Sequence, residues 1–158
     1  MNKYFVSVLV VLFSIVGMNA QELKSPNGNF KMVFALENDG TPTYQLFMNN
    51  KEIIKKSKLG LELQKDKKSL LNDFKLVNEV RNTFDETWKT VWGEETEIRN
   101  HYNELALTLK QNETERQVII RFRLFNDGLG FRYEFPEQKN LTYFVVKEER
   151  TEFAMTGD

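Results

Sequence analysis

The residues with the most chemical potential lie in one segment, between Phe84 and Glu104. This segment holds both tryptophans of the chain, Trp88 and Trp92, and its only histidine, His101. Aromatic faces beside carboxylates and amides are typical of sugar sites, because indole stacks on the apolar face of a sugar ring while polar groups bond its hydroxyls. The residue types leave a second interpretation open, in which the tryptophans pack in a core or an interface.

Carboxylates are frequent in the same segment. Hydrolysis of a glycosidic bond uses two carboxyl groups roughly 5 to 9.5 Å apart, one as the acid and the other as the nucleophile or base. Six residues qualify by type: Asp85, Glu86, Glu94, Glu95, Glu97 and Glu104. Because acidic residues are common on any soluble surface, their type alone assigns no catalytic residue.

Other kinds of site are not indicated by the residues. A single histidine without cysteine excludes an ordinary structural zinc site, and no D-x-D-x-D-G calcium loop is present. The chain also lacks a G-x-S-x-G nucleophile motif and a glycine-rich phosphate loop. With a net charge of −1, the chain is too neutral for a nucleic-acid footprint. We therefore expect neither a metal nor another cofactor in this chain, and no nucleic-acid partner.

The first residues have the pattern of a secretory signal peptide. Lys3 is followed by an uncharged apolar run over 5–16 and by small and polar residues that end at Ala20. A membrane anchor needs about 20 apolar residues, and this run is shorter. We expect residues 1–20 to be a cleaved signal peptide and the mature protein to be exported, periplasmic and free of the membrane. The absence of cysteine fits a bacterial envelope.

The remaining sequence reads as short strands. Apolar residues alternate with polar ones over 30–34, 44–48, 105–109, 118–124 and 131–135. Such a period of two predicts half-buried strands. Further strands are expected around a bend at Gly60, from Phe74 onwards and over 143–146, with a loop over 64–69. The strongest local prediction is a hairpin at Asn126-Asp127-Gly128, because an Asp-Gly pair tolerates positive φ.

The solvent face of that hairpin is charged. Arg121, Arg123 and Arg132 share the face opposite the apolar residues, and Glu134 is expected to form a cross-strand ion pair there. Strands at roughly 8- to 12-residue intervals without helical periodicity predict an all-β protein, a β-sandwich of short antiparallel strands in one domain over 21–158.

Several ordered motifs resemble the N-terminal domain of glycoside hydrolase family 97. They are the run 85–105 with Asp85-Glu86-Thr87-Trp88 and Val91-Trp92-Gly93-Glu94, the tetrapeptide Ser25-Pro26-Asn27-Gly28, the stretch 59–63 and the stretch 121–136. The resemblance implies a galactose-mutarotase-like β-supersandwich, followed in the family by a (β/α)8 barrel and a C-terminal β-sheet domain. It also implies an exo-acting α-glucosidase of the starch-utilisation type, or an α-galactosidase, that uses calcium.

In that family the catalytic carboxylates and most calcium-binding glutamates lie in the barrel, so none is assigned to this chain. The chain is therefore expected to be a scaffold truncated before the barrel, which it buttresses, and to be inactive alone. Its partners are then the barrel and, through the complete enzyme, an α-glycoside substrate. The predicted contact or site-rim residues are Trp88, Trp92, Arg99, Asn100, His101, Tyr102, Asn103 and Glu104. A free-standing, non-catalytic carbohydrate-binding or envelope module is the alternative.

Overall fold

The protein is described by a computed structural model that covers residues 20–94 and 96–157. Within these residues the chain is all-β and forms antiparallel sheets, as the alternating sequence predicts. No helix long and apolar enough to cross a bilayer occurs in the described part of the chain. The predicted signal peptide, apart from Ala20, and the candidate carboxylate Glu95 lie outside the described residues.

Ten strands follow one another along the chain. They are β1 (Gln21–Lys24), β2 (Phe30–Leu36), β3 (Pro42–Met48), β4 (Lys51–Lys58), β5 (Leu61–Leu63), β6 (Phe74–Lys89), β7 (Glu97–Gln111), β8 (Gln117–Phe125), β9 (Leu129–Glu134) and β10 (Val146–Glu149). One sheet has the order β1-β2-β3-β4 and a second has the order β6-β7-β8-β9, while β5 pairs with β10.

The two four-stranded sheets share one hydrophobic core. Leu105, Leu107 and Leu109 of β7 are fully buried, and so are Phe122 and Leu124 of β8. They meet buried side chains of β2 and β3, and the rings of Phe34 and Phe122 lie 6.0 Å apart. The face of the second sheet that enters this core is called the inner face below, and the opposite face is called the outer face. The alternation seen in the sequence thus assigns most of the core correctly, whereas Met48 and Phe135, each at the end of an alternating run, are exposed.

The turns agree with the sequence in place but not always in conformation. The β8–β9 hairpin forms at Asn126-Asp127-Gly128 and is closed by a bond from the Phe125 amide to the Gly128 carbonyl, 2.8 Å long. Gly128 does not adopt positive φ, so the reason given for this hairpin is wrong although its position is right. The left-handed two-residue turn lies instead between β3 and β4, where Asn49 and Asn50 have φ values of 50° and 65°.

Two strand predictions need correction. The strand predicted over 143–146 is displaced, because β10 begins only at Val146, which pairs with Leu63 of β5. Residues 84–89 and 97–104, for which the sequence predicts no strand, belong to the two longest strands, β6 and β7, which have 16 and 15 residues. Beyond β10 the chain runs along β4, where the Lys55 amide bonds the Ala154 carbonyl and the Thr156 amide bonds the Ile53 carbonyl.

Candidate functional site

The β6–β7 hairpin extends beyond the rest of its sheet. The last pairing of β7 with β8 joins Tyr102 to Phe125, so the five pairs from Asp85↔His101 to Lys89↔Glu97 form a ribbon of two strands. At about 3.4 Å per residue the ribbon projects about 17 Å. Its tip is the loop between Lys89 and Glu97. Because two strands alone are marginally stable in water, the ribbon has the form of an element that a partner supports.

The two sides of the hairpin have different chemistry. Directly paired residues of an antiparallel sheet point to the same face. Of the eight residues predicted from sequence, four lie on the outer face and three on the inner face, while the eighth, Trp92, lies in the tip loop. The outer ones are Trp88, Asn100, Tyr102 and Glu104, and the inner ones are Arg99, His101 and Asn103. The predicted residues therefore share one hairpin but do not form one cluster.

The outer face carries an aromatic stripe, made of Val80, Phe84, Trp88, Ile98, Tyr102 and Phe125. Tyr102 is stacked on Phe84, with ring centroids 5.3 Å apart, and also contacts Phe125 at 5.1 Å. Trp88 is 49% exposed beside Ile98, and Trp92 in the tip loop is 91% exposed. The pairs Asn82–Glu104 and Glu86–Asn100 interrupt the stripe on the same face. Exposed apolar side chains grouped on one sheet face are typical of interaction surfaces.

An ion-pair network borders the aromatic stripe, made of Glu104, Arg121, Arg123, Arg132 and Glu134. Glu104 is 6% exposed and accepts bonds from Arg121 at 2.5 Å and from Arg123 at 2.9 Å. Arg121 holds both carboxylate oxygens of Glu134, which also binds Arg132. The predicted pairing of Glu134 with the arginines is confirmed. The central position of Glu104 was not foreseen, because it depends on the register of β7 against β8.

The network keeps both glutamates ionised. Hydrogen bonds from Arg121, followed by Arg132, lower the pKa of Glu134 from 4.5 to about 2 despite partial burial. Burial acts to raise the pKa of Glu104, but hydrogen bonds from Arg123 and Arg121 outweigh it and leave that pKa below its ordinary value. A general acid of a glycosidase needs the opposite shift, so neither carboxyl group is suited to that task.

The inner side of the ribbon is polar. Arg99 donates hydrogen bonds to both oxygens of Asp85, at 2.8 and 2.7 Å, and His101 lies 3.9 Å from the same carboxylate. The hydrogen bond from Arg99 lowers the pKa of Asp85. At the root of the ribbon, Asn103 accepts a bond from Thr83 and donates one to the Lys24 carbonyl of β1, both 2.8 Å long. These contacts orient the ribbon from the sandwich outwards.

The described carboxylates of the segment are either held by arginines or exposed. Asp85 and Glu104 are held as carboxylates by arginines, while Glu86, Glu94 and Glu97 are exposed. Within 20–94 and 96–157, no group of three or more acidic or histidine side chains is placed to hold a metal ion. What the surface offers is two exposed tryptophans, an aromatic stripe and fixed arginines, which are the residue types that dominate binding at interfaces.

Comparisons with known proteins agree with this description. A family model described as "Glycosyl-hydrolase 97 N-terminal" matches residues 23–158. A retaining alpha-galactosidase of Bacteroides thetaiotaomicron is 28% identical over an alignment of 150 residues, and the match covers 92% of this chain and 21% of that protein. The structure of a glycoside hydrolase family 97 enzyme from Pseudoalteromonas sp. strain K8, in complex with panose, superposes with a TM-score of 0.80 and 31% identity over 86% of this chain.

A third similarity concerns the fold alone. A beta-arabinopyranosidase structure is 23% identical and has a TM-score of 0.75 over 84% of this chain. In each of these cases the chain spans about a fifth of the relative, namely 21%, 20% and 21%.

Proposed function

This chain belongs to glycoside hydrolase family 97, as its N-terminal domain, and from that premise we propose that it serves as the docking scaffold of an α-glycosidase. The ribbon and the outer face of the second sheet bind the catalytic part of the enzyme. One observation carries the proposal: a two-stranded ribbon with exposed tryptophans projects from a domain whose relatives are about five times longer.

The substrate class is proposed from the relatives. One of them is named a retaining alpha-galactosidase and another was determined with panose bound. An exo-acting α-glucosidase or α-galactosidase is the activity that fits both. We assign the catalytic carboxylates to the catalytic part, because Asp85 and Glu104 are committed to arginines and the other described carboxylates of the hairpin are exposed on its surface.

The remaining features of the enzyme are proposed on the same basis. The two sheets form part of a galactose-mutarotase-like β-supersandwich that packs on a (β/α)8 barrel. Calcium is bound by the complete enzyme through residues outside this chain. Export to the periplasm through a cleaved signal peptide over 1–20 would bring the enzyme to glycans that enter the envelope.

Residues of this domain hold the ribbon in position. Asn103 and Arg81 bind the carbonyls of Lys24 and Glu22 and fix the root of the ribbon to β1. The Asp85–Arg99 pair holds the two strands of the ribbon together across its inner side. The outer face then presents the aromatic stripe to the catalytic part, where burial of exposed rings supplies the binding free energy.

The test removes the Trp92 side chain from the tip loop in two forms of the protein, the 158-residue chain alone and the chain joined to the catalytic part. Trp92→Ala removes a side chain that is 91% exposed, so the 158-residue chain should keep its melting temperature. When the chain is joined to the catalytic part, the same change should lower both the melting temperature and the hydrolysis of p-nitrophenyl α-glycosides. Tyr102→Ala should act in both contexts, because Tyr102 is packed within the domain.

Tyr143→Ala is the matched control, since Tyr143 is 85% exposed but lies away from the ribbon. If Trp92→Ala left the stability and the activity of the joined enzyme unchanged, as Tyr143→Ala should, docking through the ribbon would be wrong.

A free-standing carbohydrate-binding module is the second candidate, and the exposed pair Trp88 and Trp92 favours it. These are the only tryptophans of the chain, so their fluorescence reports on the ribbon directly. A saturable change on titration of the 158-residue chain with maltotriose or raffinose, lost in Trp92→Ala, would support this candidate. The docking proposal expects no such change.

A further inference from the structure

The outer face holds a depression that the ion-pair network does not fill. Its volume is about 160 Å³, and it is lined by Arg121, Arg123, Arg132, Phe125, Phe131 and Gly130. Gly130 lies opposite Arg123 in the β8–β9 pairing. A Cβ atom built on Gly130 would meet no atom within 4 Å, and its φ lies outside the left-handed region. The glycine is thus not required by the backbone, and its missing side chain creates the depression.

The two arginines beside the depression are fixed and have hydrogen-bond donors to spare. Arg123 bonds Glu104 through Nε and lies over the ring of Tyr102, with its guanidinium carbon 4.6 Å from the centroid. Its two terminal nitrogens donate to no other described residue. Arg132 is held by Glu134 and is 61% exposed. Holding a guanidinium in place reduces the entropy that is lost when it binds a carboxylate.

The charges around the depression do not balance. The network contains three arginines and two glutamates, each contact being 3.0 Å or shorter. One positive charge therefore remains within this network. A planar carboxylate is the group that matches a pair of fixed guanidinium forks.

The depression is also continuous with the proposed docking surface. Phe125 belongs both to its lining and to the aromatic stripe, and Tyr102 lies beneath Arg123. A partner that covers the stripe would also close the depression and remove Arg123 from water. Because burying an unpaired charge is costly, such a partner must bring a negative charge to this point.

We propose that the catalytic part of the same enzyme inserts an aspartate or glutamate side chain into the depression at Gly130, where its carboxylate bonds Arg123 and Arg132. This inference rests on the proposed docking function and names the chemistry of the partner at one point of that surface. It places a specific ion pair at the centre of the domain contact, beside the aromatic stripe.

The first test fills the depression. Gly130→Val should leave the melting temperature of the 158-residue chain unchanged or slightly raised, because the space is open and valine favours strands. In the joined enzyme the same change blocks the incoming side chain and should lower the melting temperature by about 3 °C or more. Gly128→Val is the control, because Gly128 lies in the neighbouring turn and is also unobstructed.

The second test identifies the acidic residue. Arg132→Lys places a primary amine at the depression, which a carbodiimide joins by an amide bond to a carboxylate in direct contact with it. The inference expects mass spectrometry of the joined enzyme to find position 132 linked to an aspartate or glutamate beyond residue 158. Links to Glu134 or Glu104 alone would overturn it.

Trp88→Ala separates failure of this inference from failure of the docking proposal. Suppose that Trp88→Ala destabilises only the joined enzyme, while Gly130→Val changes the melting temperature equally in the 158-residue chain and in the joined enzyme. The docking proposal then stands and the carboxylate insertion is wrong. If neither change distinguishes the contexts, the surface does not face the catalytic part and both proposals are wrong. A second copy of the chain would instead appear as a dimer of the 158-residue chain in light scattering, abolished by Gly130→Val, and would also overturn the inference.

Discussion

Replacement of Glu104 by glutamine tests how the outer face of the second sheet is held together. Glu104→Gln keeps the shape of the side chain but removes the charge that Arg121 and Arg123 share. Arg121 and Arg123 donate to different oxygens of Glu104, and the glutamine amide keeps only one oxygen as an acceptor. Hydrogen bonds to a charged partner stabilise by about 1.5–3 kcal/mol and neutral ones by about 0.5–1.5 kcal/mol, so one bond weakens by about 1 kcal/mol and the other, which contributes about 1.5–3 kcal/mol, is lost. Arg123 is 38% exposed, and solvent screening reduces the contribution of its bond with Glu104 to stability.

The expected loss in the free energy of unfolding is therefore about 2–3 kcal/mol at neutral pH. At about 2–4 °C per kcal/mol for a domain of this size, such a loss lowers the melting temperature by roughly 4–12 °C. Thermal unfolding of the 158-residue chain, followed by circular dichroism, measures the shift. Glu97→Gln is the control, since Glu97 is another glutamate of β7 but forms an exposed pair with Lys89 at 3.9 Å.

Equal melting temperatures for the two variants would refute the reasoning. That result would mean that Arg121 is satisfied by Glu134 alone and that Glu104 adds nothing to the network. A large loss for Glu97→Gln would contradict the assignment of strong ion pairing to the outer face of the sandwich.

Three further predictions follow from the same contacts. Because the pKa of Glu134 is lowered from 4.5 to about 2, the stability that its ionised form contributes is present above pH 4.5 and is lost as the pH falls towards 2. Urea unfolding should therefore show a smaller decrease in the free energy of unfolding between pH 4.5 and 2 for Glu134→Gln than for the unchanged protein. Phe122→Ala removes a fully buried ring and should cost about 3–5 kcal/mol, measured by urea unfolding against the exposed-site control Phe153→Ala. Gly40→Ala places a Cβ atom 2.4 Å from the Phe74 amide nitrogen at a φ of 78°, and circular dichroism should show a loss of stability of at least about 1–3 kcal/mol, which Gly130→Ala should not.

The sequence predicts the sandwich because its strands are buried on one side. Along β8, buried and partly exposed residues alternate from Gln117 to Phe125, and the period of two is visible without coordinates. The strand β10 shows the opposite case. All four of its residues are exposed, so no alternation of burial marks it, and the apolar residues over 143–146 make the predicted strand begin three residues too early.

The sequence marks the ribbon as a segment of unusual residue types but does not predict that it forms a pair of strands. Its distal residues have no core on either side, so burial does not alternate there and the sequence period carries no signal. The division of its residues between two faces follows from the register of β6 against β7, which a bulge between Leu76 and Asn78 shifts by one residue. The depression at Gly130 likewise depends on the pairing of β9 with β8, which residue types alone do not reveal.

The central claim is that the catalytic part of the enzyme covers the ribbon. Amide hydrogen exchange over 84–102, measured in the 158-residue chain and in the chain joined to the catalytic part, tests it most directly, with β8 as the internal reference. A two-stranded ribbon in water opens readily, so its amides should exchange fast in the 158-residue chain and much more slowly in the joined enzyme. The same fast exchange in both would contradict the account.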